Sequence, residues 1–301
     1  MKITNVTATV LRLPQISSAA DGTQDDLIIT VETDEGITGY GEVDTAPYVG
    51  KAVVDAYMSH GTCYGLREVV VGSDPFDYEQ IWNDMWAKTY YYGRSGPVMH
   101  VMSGIDMAIW DIMGKALGKP VHKLLGGSYA DKVRAYASAL MPDTPDEVKK
   151  MTEKYVSPGY TAIKVGWGPL GYDVHYDIEL IKTARKAAGD KVDVMIDIGK
   201  RYRLKAAIYV AKALEQLNIY WLEEPLPAED YIGYKRLTES TTMRIATGEE
   251  ESGRLAFARL INETHIDVVQ PDMSRCGGLT EAKKISMMTA EANILCVRHA
   301  F

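Results

Sequence analysis

Over the first part of the chain, apolar and polar positions alternate with a period of about two. Ile3 to Leu13 alternates loosely, and Leu27-Ile28-Ile29-Thr30-Val31 is a nearly unbroken apolar run. Ile37 to Val43 returns after the turn Thr33-Asp34-Glu35-Gly36. The pattern predicts three strands. Between the first two, Ser17–Asp26 is polar and contains Gly and Ser, which reads as a mobile loop. From about Lys51 to Leu117 the period becomes helical. Ser103–Leu117 is the clearest stretch, with Ile105, Ile109, Ile112, Met113 and Ala116 on one face, Ser103 as a candidate N-cap, and Gly118-Lys119-Pro120 as the stop. Strands followed by helices predict a separate α+β domain over residues 1–127.

After Gly126-Gly127 the pattern changes again. Short apolar runs recur near residues 133–138, 161–166, 192–197, 219–223, 243–249, 266–272 and 294–299, with amphipathic stretches between them. This spacing, roughly 25–30 residues, is that of a repeating strand–helix unit. Residues 128–301 are therefore expected to form an α/β domain of the (β/α)8 TIM-barrel type. The eighth strand is not visible, because the chain stops at Phe301 straight after the seventh. Either the sequence is incomplete or a partner closes the barrel.

Several of these runs finish in an ionisable residue. Asp197, Glu223 and Glu249 stand 26 residues apart from one another in turn. One strand and one crossover helix occupy about that length, so the three carboxylates are expected at equivalent ends of neighbouring parallel strands. Held so close they repel, and a hard divalent cation relieves the repulsion by taking their oxygens as ligands. Asp272 and His299 end the next two strands, where Asp272 would orient His299 and raise its basicity as a general base. Lys164 ends the second strand and is either a second base, a binder of a substrate carboxylate, or a lysine reaching out to solvent. Glu224, Glu250 and Glu251 are expected to point away from the site as supporting or surface groups. His60, His100, His122, His175 and His265 are expected to be structural or exposed, and Trp110 and Trp221 to pack in the core.

Composition narrows the partners. A formal net charge of −8 argues against nucleic acid and against anionic membranes. Cys63, Cys276 and Cys296 are odd in number and widely spaced, which suits a reduced, cytoplasmic protein. The N-terminus carries no secretory pattern, and there is no apolar run long enough to span a membrane.

Taken together, Asp197, Glu223 in Trp-Leu-Glu-Glu-Pro, Glu249 in Thr-Gly-Glu, Asp272 in Gln-Pro-Asp, and His299 resemble the enolase superfamily in its mandelate racemase branch. Ile105 to Lys115 and Leu124-Leu125-Gly126-Gly127 resemble that family's link between capping domain and barrel. The resemblance covers essentially the whole chain. It implies an N-terminal capping domain, a Mg2+ ion on Asp197, Glu223 and Glu249, a small carboxylate substrate, a homo-oligomer, and abstraction of the proton α to the carboxylate. Three positions depart from the pattern. Lys164-Val165-Gly166 replaces the common Lys-x-Lys, Gly199 stands where Asn is frequent, and no eighth strand is seen. Lys200, Arg201 and Arg203 follow Gly199 as either an anion-holding cluster or a solvated loop. With one clear base, dehydration of an acid sugar is the expected reaction. The alternatives are a racemase or epimerase of a 2-hydroxy acid, with Lys164 facing His299, or a metal-binding homologue without turnover. Substrate selection is expected from Ser17–Asp26, Pro47-Tyr48 and Tyr90-Tyr91-Tyr92.

Overall fold

The computed structural model describes residues 1–16 and 24–300. Its period-two stretch forms an antiparallel sheet of β1 (Ile3–Arg12), β2 (Asp25–Thr33) and β3 (Thr38–Val43), in that order. Residues 17–23 of the expected loop lie outside the described residues, while Asp25 and Asp26 belong to β2. Register pairs Val6 with Val31, Ala8 with Ile29, and Ile29 in turn with Gly41, so one face of the sheet is apolar.

The helices α1 (Pro47–Asp55), α2 (Leu66–Val70), α3 (Tyr78–Thr89), α4 (Pro97–Leu117) and α5 (Val121–Leu124) follow. Helix α4 lies on the apolar face of the sheet. A Cβ at Gly39 would fall 2.0 Å from the Ala108 carbonyl oxygen, and one at Gly41 would fall 1.9 Å from that of Gly104. Glycine therefore sets how closely helix and sheet approach. The C-terminal stop is as expected, with Gly118 left-handed at φ 60°. The expected start is not. Helix α4 begins at Pro97, and Ser103 is buried mid-helix. Its hydroxyl donates to the Met99 carbonyl at 2.9 Å and accepts from the Gly277 amide at 2.8 Å.

The second half alternates strand and helix: β4 (Ala137–Leu140), α6 (Pro145–Val156), β5 (Ala162–Gly166), α7 (Val174–Ala188), β6 (Asp193–Asp197), α8 (Leu204–Glu215) and β7 (Trp221–Glu223). It continues with α9 (Tyr231–Thr238), β8 (Ile245–Thr247), α10 (Gly253–Thr264), β9 (Val268–Val269), α11 (Gly278–Glu291) and β10 (Leu295–Cys296). Among the described residues these seven strands form one parallel sheet in chain order, with β4 and β10 at its edges. The expected α/β class, a parallel barrel-type sheet preceded by an antiparallel cap, is borne out. The first strand starts later than expected, at Ala137, because Val133 is exposed.

Alternation along each strand sorts the side chains. Ile163, Val165, Val194, Ile196, Leu222, Ile245 and Val269 pack against the helices. Ala162, Met195, Trp221, Ala246 and Val268 form a separate cluster on the opposite face, the inside of the curved sheet. Two residues beyond members of that cluster, on the same face, come Lys164, Asp197 and Glu223.

Helices α3 and α4 also dock on the segment between β9 and α11 and on the first turn of α11. Trp82 Nε1 donates to the Gly277 carbonyl at 2.9 Å, and Trp110 Nε1 to Thr280 Oγ1 at 2.9 Å. Asp106 accepts from the Thr280 amide at 3.0 Å and from its hydroxyl at 2.6 Å. Burial pushes the Asp106 carboxyl up to about 7, against those hydrogen bonds. The folded state therefore binds this proton more tightly than the unfolded chain. The stabilisation is complete below about pH 4 and is lost as pH rises to about 7. Asp106→Asn should remove that dependence. Urea unfolding from pH 4 to 8 should show the wild-type advantage over the variant shrinking by up to about 4 kcal/mol as pH rises. A constant difference would contradict it.

Candidate active site

Strand register places the first two carboxylates side by side. Asp197 of β6 pairs with Glu223 of β7, and Glu223 pairs with Ala246 of β8. Glu249 is thus not at the equivalent strand end. It lies beyond β8, after Gly248 at φ 119°, a left-handed turn that breaks the alternation. All three are buried, at 6%, 0% and 3% exposed for Asp197, Glu223 and Glu249.

Each carboxylate is held by the chain. Asp197 accepts from the Gly199 amide at 2.9 Å and from Trp167 Nε1 at 3.2 Å. Glu223 accepts from Trp221 Nε1 at 2.7 Å, so this tryptophan does more than fill the core. Lys164 is buried rather than solvated. Its ammonium forms a close ion pair with Glu223 and lies 3.7 Å from Asp197 Oδ2. Burial disfavours its charge, but the carboxylates of Glu223 and then Asp197 outweigh burial and hold its pKa above the ordinary value. Asp197 is pushed up to about 7, by burial first and then by the charge of Glu223. Burial also raises Glu249, with Glu223 adding repulsion.

Two strand ends further on, Asp272 and His299 meet. Backbone bridging aligns them, and His299 Nδ1 lies 2.8 Å from Asp272 Oδ2. Burial works against charge on both groups. The hydrogen bond between them still holds Asp272 below its ordinary range and His299 above its own. His299 Nε2 lies 3.4 Å from Glu249 Oε2, which joins the dyad to the buried acids.

A cavity of about 590 Å³ opens between cap and barrel and reaches His299, Asp272 and Ser274. Its cap wall contributes Asp25 and Asp26, from the Ser17–Asp26 stretch expected to select the substrate, together with Glu42 and Asp44, which the sequence pattern did not single out. The only local cue was acidic residues at the ends of β2 and β3. Pro47-Tyr48 and Tyr90-Tyr91-Tyr92, expected near the substrate, are not among its lining residues. Lys200 and Arg201 of the basic cluster are spent on structure. Lys200 pairs with Glu250 at 2.8 Å, and Arg201 donates to the carbonyls of Gly168 and Leu170, each at 2.7 Å. Gly166, on the inner face beyond Lys164, carries no side chain, and a Cβ there would fall 2.5 Å from the Asp197 carbonyl oxygen.

Glu224 is not a surface group. It is 1% exposed at φ 42° and accepts from Thr247 Oγ1 at 2.5 Å and from the Gly248 amide at 3.2 Å. Glu251 accepts from the Tyr231 hydroxyl at 2.5 Å. His60, His122, His175 and His265 are exposed as expected, whereas His100 is half-buried, its Nδ1 without a hydrogen-bond partner among the described residues.

Comparison with known proteins matches these features to one family. Residues 2–126 match the mandelate racemase / muconate lactonizing enzyme N-terminal domain, and residues 146–301 the enolase C-terminal domain-like family. The chain belongs to the mandelate racemase / muconate lactonizing enzyme family. Within that family it is 34% identical over 282 residues to the D-galactonate dehydratase of Pectobacterium atrosepticum, covering 91% of this chain and 71% of that protein. It is 32% identical over 275 residues to the L-rhamnonate dehydratase of Saccharopolyspora erythraea, covering 91% and 67%. The crystal structure of a racemase from Streptomyces coelicolor A3(2) with bound magnesium superposes with a TM-score of 0.88 at 28% identity, covering 99% of this chain and 84% of that one. The expected enolase-superfamily membership is borne out.

Glu224 fixes the Gly248 turn on which Glu249 depends. Glu224→Ala should leave the Gly248 amide unpaired and lower stability by about 1–3 kcal/mol in denaturant unfolding. No change would show that the turn is held by other contacts.

Proposed function

We propose that this member of the family is a Mg2+-dependent acid-sugar dehydratase, a lyase that converts an aldonic-type acid to its 2-keto-3-deoxy product. The observation that carries the reading is the Asp272–His299 pair at the wall of the cavity, with no side chain at Gly166, the last residue of β5. The dehydratase relatives support it, since they are named for acid-sugar substrates.

Hard oxygen donors suit magnesium, and Asp197, Glu223 and Glu249 supply three. They are buried close enough for repulsion to raise Asp197 and Glu249, which is the electrostatic condition a divalent cation relieves. As they stand, no three His, Cys, Asp or Glu side chains among the described residues are arranged to share one ion, and Lys164 occupies Glu223. Those three residues would hold the ion. When bound, it would supply positive charge against the substrate carboxylate as negative charge develops there.

The remaining steps belong to the chain. Neutral His299 takes the α-proton onto Nε2, while Asp272 holds Nδ1–H and stabilises the imidazolium that forms. The β-carbon–oxygen bond then breaks, and the imidazolium returns the proton to the departing hydroxyl, which leaves as water. The resulting enol ketonises to the 2-keto acid. Racemisation needs a second base on the opposite face, and Lys164 is committed to Glu223 while Gly166 offers none. The free thiols of Cys63, Cys276 and Cys296 suit a cytoplasmic setting, and among the described residues no helix is long and apolar enough to cross a membrane.

Incubation with Mg2+ and a panel of aldonic and aldaric acids should give a 2-keto product from at least one. His299→Asn should lower its rate by about 10²–10⁴-fold. Deuterium exchange at Cα with no keto product would contradict dehydration and favour racemisation.

A further inference from the structure

The turn that carries Asp272 is tied to the cap. Asp272-Met273-Ser274-Arg275-Cys276 closes on itself, with the amides of Arg275 and Cys276 donating to the Asp272 carbonyl at 3.1 and 2.7 Å. Ser274 holds Asp272 Oδ1 through its amide at 2.7 Å and its hydroxyl at 2.5 Å, while Oδ2 faces His299. Arg275 then crosses to the other domain. Its Nε and Nη2 both lie 2.5 Å from Oδ2 of Asp44, which directly follows β3. The two side chains are 17% and 10% exposed, so water screens their attraction little. His100 of α4 sits in the same field. Burial, and then the charge of Arg275, lower its pKa to about 4 and keep it neutral. The ties of Trp82 and Ser103 to Gly277, and of Asp106 and Trp110 to Thr280, lie further along the chain from Asp272.

We propose that Asp44 and Arg275 are positioning residues. Their ion pair anchors the Asp272 turn to the cap, so that Asp272 presents Oδ2 to His299 and the seating of the cap fixes the orientation of the base. The inference rests on His299 being that base. Its logic is geometric, because a carboxylate turned slightly away no longer aligns the imidazole for proton transfer, and misplacement of about 1 Å costs as much as about 100-fold in rate. Asp44 also lines the cavity, so the residue that anchors the turn stands beside the space a substrate would fill.

The test uses the full chain with Mg2+ present and the variants Asp44→Asn and Arg275→Lys. Arg275→Lys keeps the charge but loses the fork, which separates alignment from charge balance. The first readout is the downfield Nδ1–H proton resonance of His299, assigned by its absence in His299→Asn. It reports the bond to Asp272 and needs no substrate. The proposal expects this resonance to be lost or shifted in both variants while thermal unfolding stays cooperative. On the most active acid of the panel, kcat should fall about 10- to 100-fold with KM changed by less than about threefold. An unchanged resonance in either variant, or a loss confined to KM, overturns the positioning role. A failure to fold in Asp44→Asn leaves Arg275→Lys to decide on the same readouts. Full activity in His299→Asn would instead sink the base assignment, and with it the dehydratase reading, whatever the Asp44 variant does.

Discussion

Buried like charge is the constraint on which this molecule's chemistry depends. Asp197 and Glu223 are paired in register on adjacent strands, and Glu249 is folded back toward them by the Gly248 turn. In a low-dielectric interior such a set raises its own proton affinities unless positive charge is supplied. The chain supplies part of it. Lys164 pairs with Glu223, the indoles of Trp167 and Trp221 donate to Asp197 and Glu223, and His299 approaches Glu249. A site that carries this much unrelieved negative charge favours a cation, and a cation beside a raised histidine suits the removal of a proton next to a carboxylate.

The same site depends on contacts between two domains. Helix α4 packs on the sheet through Gly39 and Gly41, and its far side grips the segment that follows Asp272 through Ser103, Asp106 and Trp110. The barrel brings Asp272, His299 and the buried acids, and the cap brings a wall of the cavity and the Asp44 carboxylate that pairs with Arg275.

Much of this was legible before folding, for identifiable reasons. The period of two in the first strands and the strand–helix repeat after Gly127 each follow from which side of an element is buried. The regular spacing of Asp197 and Glu223 translates directly into register. Local rules failed where tertiary contacts decided the outcome. Ser103 carried an N-cap signature, yet apolar Val98, Met99, Val101 and Met102 extend the helix through it, and its hydroxyl serves Gly277 instead. Glu249 kept the spacing but not the strand-end equivalence, because Gly248 bends the backbone. The acids Asp25, Asp26, Glu42 and Asp44 were invisible as a group, since only the docking of cap on barrel brings them to one cavity. The partner of Lys164 was equally hidden, being two strands away.

The proposed chemistry requires Asp197, Glu223 and Glu249 to hold one divalent ion. Calorimetric titration of Mg2+ into the metal-stripped protein, beside Glu223→Gln, tests it most directly. A single saturable site per chain is expected, weakened by at least about tenfold in the variant. Absence of binding to the wild-type chain, or equal affinity in both proteins, would contradict it.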